Sequence, residues 1–390
     1  LRVFLDYSAI GFIIATMKRQ QLQSIQADLA KKMVFISGPR QAGKTWLAKQ
    51  LMSSYPRTLY LNWDNRQDRE LLEQQAWDRK IQLLVFDEIH KMAGWKNYLK
   101  GVWDTRHPGL SVLVTGSARL ETFRQSGDSL AGRYFHHRLF PFTPAELAAA
   151  GSSYPLDHYL TRGGFPEPFL AENDTEANRW RRQYLDGLIR EDILNYENIN
   201  QLKAMNLLVE LLRHRVASPL SYQSLSEDIG VAPNTIRHYI DILEALYIVF
   251  RIHPHHASIA RSLRQQPKLY FFDTALVAGA PQRLENFVAL SLYRQICLGE
   301  DRDGQRRQLC YLRTKEGREV DFIVVREGTP VLMLEVKSSE TKIDPNLQYF
   351  HERYHFPGVQ LTAELRLEHA AGPLQVRRLL DYLEQETLLF

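Results

Sequence analysis

Cysteine is nearly absent from this chain: Cys297 and Cys310 are the whole supply in 390 residues. Their spacing matches no ligand pattern, so neither a disulfide framework nor a zinc site is expected, and a reducing, cytoplasmic setting fits best. Long hydrophobic runs are absent too. The one early apolar stretch, AIGFIIA at residues 9–15, is too short to span a bilayer and lacks a basic flank or a small-residue cleavage site, so no membrane segment is expected. No internal repeat or low-complexity tract occurs. Nor is one sign of charge in large excess. The 49 Lys and Arg against 45 Asp and Glu leave +4, which permits an acidic partner such as nucleic acid without requiring one.

What is present is the makeup of a globular protein, 44% hydrophobic and 24% charged, in a chain too long for one ordinary core. Met17 begins MKRQQLQSIQADLAKKMVFISG, a plausible start running into a first strand. Residues 1–16 are therefore expected to be an upstream extension or a frayed segment.

KMVFISGPRQAGKTWLAKQL reads as strand, glycine loop and helix, and its loop GPRQAGKT satisfies the phosphate-loop pattern in the right context. Gly38, Pro39, Arg40, Gln41, Ala42 and Gly43 form the turn whose backbone N–H groups would face the phosphates of ATP. Lys44 would reach the β- and γ-phosphates and Thr45 would bind Mg²⁺. A second apolar strand, IQLLVFDEIH, ends in Asp87 and Glu88. Asp87 there would hold a Mg²⁺-bound water, and Glu88 would orient or deprotonate the attacking water. A third run, LSVLVTGSARL, delivers Thr115 and Ser117 to a strand end, where parallel sheets place ligands; either is also readable as an ordinary turn hydroxyl. Arg133, in SLAGRYFHH, is a candidate for stabilising transition-state charge in a neighbouring subunit, a surface arginine being the plainer use.

The order GPRQAGKT, LLVFDEIHK, VLVTGSA, SLAGRY, GGFPEP resembles the prokaryotic ATPases of the AAA superfamily that carry a nuclease-like C-terminal half. The resemblance runs over nearly the whole chain from Met17. It implies Walker roles for Lys44, Thr45, Asp87 and Glu88, a sensor role for Ser117 or Thr115, and a finger role for Arg133, with Arg190 as a candidate second sensor.

Residues 143–200 are helix-rich, with Trp180, Tyr184, Leu188 and Ile189 at helical spacing. Gly163 and Gly164 break the run, as a hinge or as a structural connector. SPLSYQSLSEDIGVAPNTIRHYIDILEALYIVFRI then gives a helix from about Tyr222 to Ile229, a turn at Gly230, and a second helix from Pro233 to about Ala245 with Ile236, Ile240 and Leu243 buried. YIVFRI and LYFFD would be the wing strands. As a DNA reader, this module would present Asn234, Thr235, Arg237 and His238 to the duplex, with Arg261, Arg264 and Lys268 on phosphates. The same module also serves protein docking. His253, His255 and His256, like His136 and His137, read as ordinary solvated histidines rather than metal ligands.

GREVDFIVVREGTPVLMLEVKSS, residues 317–339, reads as a hairpin turning around Gly328 and Pro330. Symmetry about Gly328 places Asp321 opposite Glu335, where like charges repel unless a divalent cation lies between them. Lys337 shares the face of Glu335, beside that metal, and Glu285 on a preceding helix would add a ligand or base. This constellation resembles the PD-(D/E)xK nuclease fold, with Val320 at the name-giving proline. Cutting and mere binding both remain open for it.

The expected class is α/β: a P-loop NTPase parallel sheet at residues 17–145, a helical lid at 146–200, a winged helix-turn-helix at 201–268, and a restriction-endonuclease-like domain at 269–390. The expected activity is Mg²⁺-ATP hydrolysis coupled to DNA handling, in a homo-oligomer such as a ring. The alternative is a nucleotide-dependent switch whose nuclease-like domain is not catalytic.

Overall fold

The computed structural model describes residues 17, 19–116, 130–193, 199–255 and 266–385. Ser117, Arg261, Arg264, His256, the 1–16 extension and the Arg190 side chain lie outside the described residues. The chain divides into two compact units. One comprises residues 18–141 with 245–247, and the other residues 142–244 and 248 onward.

The first unit is a five-stranded parallel sheet in the order β2-β3-β4-β1-β5. Its strands are β1 (Met33–Ser37), β2 (Thr58–Asn62), β3 (Leu83–Asp87), β4 (Ser111–Thr115) and β5 (Tyr134–Arg138). The three central strands are buried along their whole length, whereas the edge strands β2 and β5 are half exposed. Parallel sheets covered on both faces demand such continuous apolar runs. The two-residue period then divides the side chains between two cores. Met33 and Phe35 pack with Trp95, Leu99, Val102 and Trp103, and Val34 and Ile36 with Ile25, Leu29, Leu47 and Leu51. Helices α1 (Lys44–Met52) and α2 (Trp95–Asp104) thus lie on opposite faces.

The second unit begins with helices, including α3 (Leu156–Arg162) and α4 (Asp174–Ile193). Trp180, Leu188 and Ile189 are buried as their spacing predicts, and the Tyr184 ring stacks on Trp180 at 4.7 Å. Gly163 and Gly164 are tightly packed positions. A Cβ at Gly163 would lie 2.2 Å from Asp273 Oδ1, and one at Gly164 would lie 2.8 Å from the Phe142 carbonyl oxygen.

Helices α5 (Tyr222–Ile229) and α6 (Pro233–Ala245) form the expected pair around Gly230, which caps α5 at φ 79°. The two strands after them do pair, β6 (Val249–Pro254) antiparallel to β7 (Lys268–Phe271). They are not a free wing, however. β6 also pairs in parallel with β8 (Arg307–Arg313), so the hairpin closes one end of an eight-stranded sheet. Its order is β12-β13-β11-β10-β9-β8-β6-β7, with β9 (Glu319–Arg326), β10 (Thr329–Lys337), β11 (Gly358–Thr362), β12 (His369–Ala371) and β13 (Leu374–Arg378). The edge strand β7 is covered by the long buried helix α7 (Ala280–Asp303), whose Asn286 amide makes both hydrogen bonds to the Phe271 backbone, 2.7 Å from its N–H and 3.0 Å to its carbonyl. Helix α8 (Pro345–Tyr354) packs Leu347 and Phe350 under β9 and β10. Neither cysteine forms a disulfide, and among the described residues no helix is long and apolar enough to cross a membrane.

Candidate functional site

The loop Gly38–Thr45 leaves the buried end of β1 and enters α1. Gly38 is required by contact as well as by conformation: at φ 142°, a Cβ there would stand 2.0 Å from the Leu139 carbonyl oxygen. Gln41 at φ 60° and Gly43 at φ 98° complete the curl of the loop before the helix start, a backbone shape that suits an anion-binding turn. Lys44 is buried, and its ammonium donates to the Gly38 and Pro39 carbonyls at 3.0 and 2.6 Å. Burial lowers its pKa to about 8, with Glu88 and Asp87 pulling upward and Arg40 downward.

Asp87 gathers the rest of this site. The register pairs Asn62, Asp87 and Thr115 across β2, β3 and β4. Thr115 donates to Asp87 Oδ1 at 2.7 Å, and Thr45 donates to Oδ2 at 3.2 Å. The Tyr60 hydroxyl donates to Oδ2 as well, and its pKa is raised by burial and by that bond. The donor set fits Mg²⁺, which takes hard oxygens and is held through one or two carboxylates with phosphate. Thr45 and Asp87 are the residues that would hold it. Glu88 occupies the left-handed region at φ 55°, its N–H bound to the Thr115 carbonyl at 3.0 Å. Its carboxylate is 3.3 Å from Lys91, which also pairs with Asp64 at 2.5 Å.

Arg133 lies elsewhere. It directly precedes β5, whose Tyr134 pairs with Met33 at the start of β1, the end opposite the phosphate loop. Four strand steps, about 13 Å, separate those ends. Its guanidinium is bidentate to Asp104, at 2.9 and 3.1 Å. Arg133 is thus not part of the site in its own unit. Two contributors escape sequence reasoning. Tyr60 sits in an unremarkable strand, and Arg19 is a lone basic residue near the start of the described chain. Arg19 is buried, donating through Nη1 to the Ala42 carbonyl at 3.0 Å and through Nη2 to the Phe140 carbonyl, and so holds the back of the phosphate loop.

The second unit holds the carboxylates of the hairpin. Its turn is Glu327–Gly328, at φ 47° and 78°, the two-residue primed type that suits a twisted hairpin; Pro330 lies within β10. A bulge between Pro330 and Leu332 shifts the register by one, so Leu334 faces Phe322, and one step further along that register brings Glu335 to Asp321. The Asp321 N–H donates to Glu335 Oε2 at 3.3 Å, and the Val336 N–H donates to Asp321 Oδ2 at 2.9 Å. Lys337 bridges Glu335 and Asp344, at 2.8 and 2.9 Å.

Glu285 does reach this region from α7, and it accepts from the Tyr270 hydroxyl at 2.8 Å. Burial first and the Asp321 charge second raise Glu285 and Glu335 to about 8 each, and burial raises Asp321 against the pull of Lys268. Among the described residues, no group of three or more His, Cys, Asp or Glu side chains is placed to hold a metal ion. Lys268 is also not on a surface facing phosphates, because its side chain is 1% exposed and ion-paired within this cluster. His136 and His137 bond Ser37 and Asp28, at 2.8 and 2.9 Å, and His253 belongs to β6 rather than to a loop.

Residues 30–148 match the family described as an AAA domain, and residues 154–286 and 282–373 match two families described as Domain of unknown function (DUF8612 and DUF4143). An uncharacterized protein of Mycobacterium tuberculosis is 26% identical over 324 residues, covering 79% of this chain and 71% of its own length. An uncharacterized protein of Methanocaldococcus jannaschii is 21% identical over 360 residues, covering 83% and 79%. Among solved structures, the Walker-type ATPase of Pyrococcus abyssi superposes with a TM-score of 0.44 at 12% identity, over 71% of this chain and 97% of that one, a likeness too loose to carry an argument. The phosphate loop, the parallel sheet around it and the AAA-domain match agree: the first part of this chain is an AAA-type P-loop ATPase domain.

Proposed function

We propose that the chain hydrolyses Mg²⁺-ATP and couples that turnover to DNA binding or processing. The observation that carries the ATPase reading is the convergence of Thr45, Tyr60 and Thr115 on the buried Asp87 carboxylate, directly before Glu88. In this reading Lys44 leaves its loop carbonyls for phosphate oxygens, Thr45 and Asp87 hold Mg²⁺, and Glu88 takes the proton of the attacking water. Arg133 acts in a neighbouring copy of the chain, which makes the working form a homo-oligomer.

DNA is supported by helix α6. Ile236, Ile240 and Leu243 are buried, while Asn234, Arg237 and His238 are exposed near its N-terminal end, the end from which a recognition helix meets base edges. The second reading, a nucleotide-driven switch whose C-terminal centre does not cut, is favoured by the burial of Lys268 among that centre's carboxylates.

The test measures ATP turnover and nucleotide binding in wild type, Lys44→Ala and Glu88→Gln, and the anisotropy of a labelled duplex with and without ATP. Lys44→Ala is expected to lose nucleotide binding, and Glu88→Gln to keep it with turnover lowered by about 10²–10⁴. Unchanged turnover in both variants would remove the ATPase reading. Duplex affinity that ignores nucleotide would remove the coupling, and no duplex binding, or binding that survives Arg237→Ala intact, would remove DNA as the use of α6 and leave protein docking.

A further inference from the structure

Lys268 opens β7 with its side chain 1% exposed, so its ammonium faces the protein interior rather than solvent. Its Nζ lies 2.6 Å from Glu319 Oε1, 3.3 Å from Glu285 Oε1 and 3.9 Å from Asp321 Oδ1. The Tyr311 ring covers it, with the centroid 5.4 Å away. An ammonium has three protons and no acceptor, so carboxylates and a ring face suit it well.

The placement follows from the fold. Residues two apart on a strand share a face, so Lys268 and Tyr270 point the same way, and both reach Glu285. Asn286, next along α7, pins that helix to the Phe271 backbone and fixes the distance between Glu285 and β7. Asp321 and Glu319 arrive on β9, again two apart and on one face. On the far side of Asp321, Lys337 engages Glu335 and Asp344. Every carboxylate of the cluster is thus turned toward an ammonium, a hydroxyl or a backbone N–H.

A divalent ion needs several oxygens converging on one point at about 2.0–2.6 Å. Here the oxygens of Glu285, Glu319 and Asp321 converge on the Lys268 nitrogen instead, and a second cation brought among them would meet its positive charge.

We propose that Lys268 is the resident cation of this cluster, a covalently attached replacement for a divalent ion among Glu285, Glu319 and Asp321, and that the centre takes no Mg²⁺ or Mn²⁺ while Lys268 is present. This goes beyond the ATPase reading and does not depend on it. It implies that the hairpin carboxylates hold the sheet and α7 together without metal, and that any grip on nucleic acid here is likewise metal-independent.

The test is Mn²⁺ binding by the full chain without nucleotide, followed by calorimetry and by the Mn²⁺-dependent shift of thermal unfolding. Wild type, Asp321→Asn, Lys268→Met and the double variant are compared. Wild type and Asp321→Asn are expected to bind Mn²⁺ alike, any ion at the phosphate loop being common to both. Lys268→Met is expected to gain one site, at least tenfold tighter than anything Asp321-dependent in wild type, and the double variant to lose it. Lys268→Gln, which keeps a donor for Glu319, carries the same comparison if Lys268→Met does not fold. An Asp321-dependent Mn²⁺ site in wild type overturns the proposal, and so does the absence of a new site once the ammonium is gone.

Discussion

Thr115 and Asp87 face each other in register on β4 and β3, and the Thr115 hydroxyl donates to Asp87 Oδ1 at 2.7 Å. Thr115 is fully buried, so its hydroxyl acts on the carboxylate and not directly on solvent. It leaves Oδ2 to Thr45 and Tyr60, which fixes the direction in which Asp87 presents that oxygen. A hydrogen bond to a charged acceptor contributes about 1.5–3 kcal/mol. Thr115→Val is therefore expected to raise the Mg²⁺ concentration for half-maximal ATP turnover by about tenfold or more, with Thr115→Ser close to wild type. A Mg²⁺ titration of turnover checks it, and an unchanged midpoint would show that Thr45 and Tyr60 orient Asp87 alone.

Arg133 and Asp104 give a second prediction, because this bidentate pair stands at the end of the sheet opposite the phosphate loop. A finger residue there can serve only another copy. Arg133→Ala is expected to lower turnover by about 10³ with nucleotide binding retained. Mixing it with Lys44→Ala chains should restore part of the activity, since some interfaces then join an intact loop to an intact arginine. No recovery on mixing, with turnover near wild type in Arg133→Ala, would make the arginine a surface partner of Asp104 and nothing more.

The phosphate loop and the three buried strands are legible in the sequence because their determinants are local: glycines at a strand end, continuous apolar runs, an acid pair closing one of them. The Asp321–Glu335 pairing is legible for a less direct reason. A turn at Glu327–Gly328 pairs Arg326 with Thr329 and, carried straight through, would set Asp321 against Leu334; the bulge after Pro330 restores the facing that symmetry about Gly328 predicts. Lys268 was not legible as an interior cation. A lysine among Arg261, Arg264 and the strand LYFFD looks like a phosphate contact, and only the pairing of β6 with β8 makes its strand part of the larger sheet. Arg19 and Tyr60 escape for the same reason, since their partners are distant in sequence.

Gly163 yields a prediction that separates packing from flexibility. Its backbone, at φ 72° and ψ −155°, is open to glycine almost alone, and its Cα faces the Asp273 carboxylate. That carboxylate is buried and accepts from Arg181 Nε at 2.6 Å. Gly163→Ala is expected to cost about 3 kcal/mol or more, from backbone strain together with displacement of a buried ion pair. Gly187 is the internal control: it lies inside α4 with nothing within 4 Å of a Cβ, so Gly187→Ala is expected to stabilise by about 0.5–1 kcal/mol. Denaturant unfolding of both variants decides it. Equal, small effects would return Gly163 to the role of a hinge.

His158 carries a pH dependence whose sign can be worked out. Its ring lies against Tyr154 and Phe169, at centroid distances of 4.8 and 4.5 Å, and Nε2 donates to the Phe169 carbonyl at 2.9 Å. Burial holds its pKa below the ordinary 6.5; Arg162 adds to the drop, while the Phe169 carbonyl, Asp174 and Asp157 oppose it. A base whose folded pKa is depressed binds fewer protons folded than unfolded across that window. Its contribution to stability is therefore complete above about pH 6.5 and declines as pH falls through the window below. His158→Gln removes the titration and keeps a donor for the carbonyl. The stability of wild type relative to this variant, from denaturant unfolding at pH 7.5 and 5.5, is expected to fall at the lower pH. A difference that stays constant or grows would mean that the folded ring accepts a proton as readily as the unfolded one, against the packing described for it.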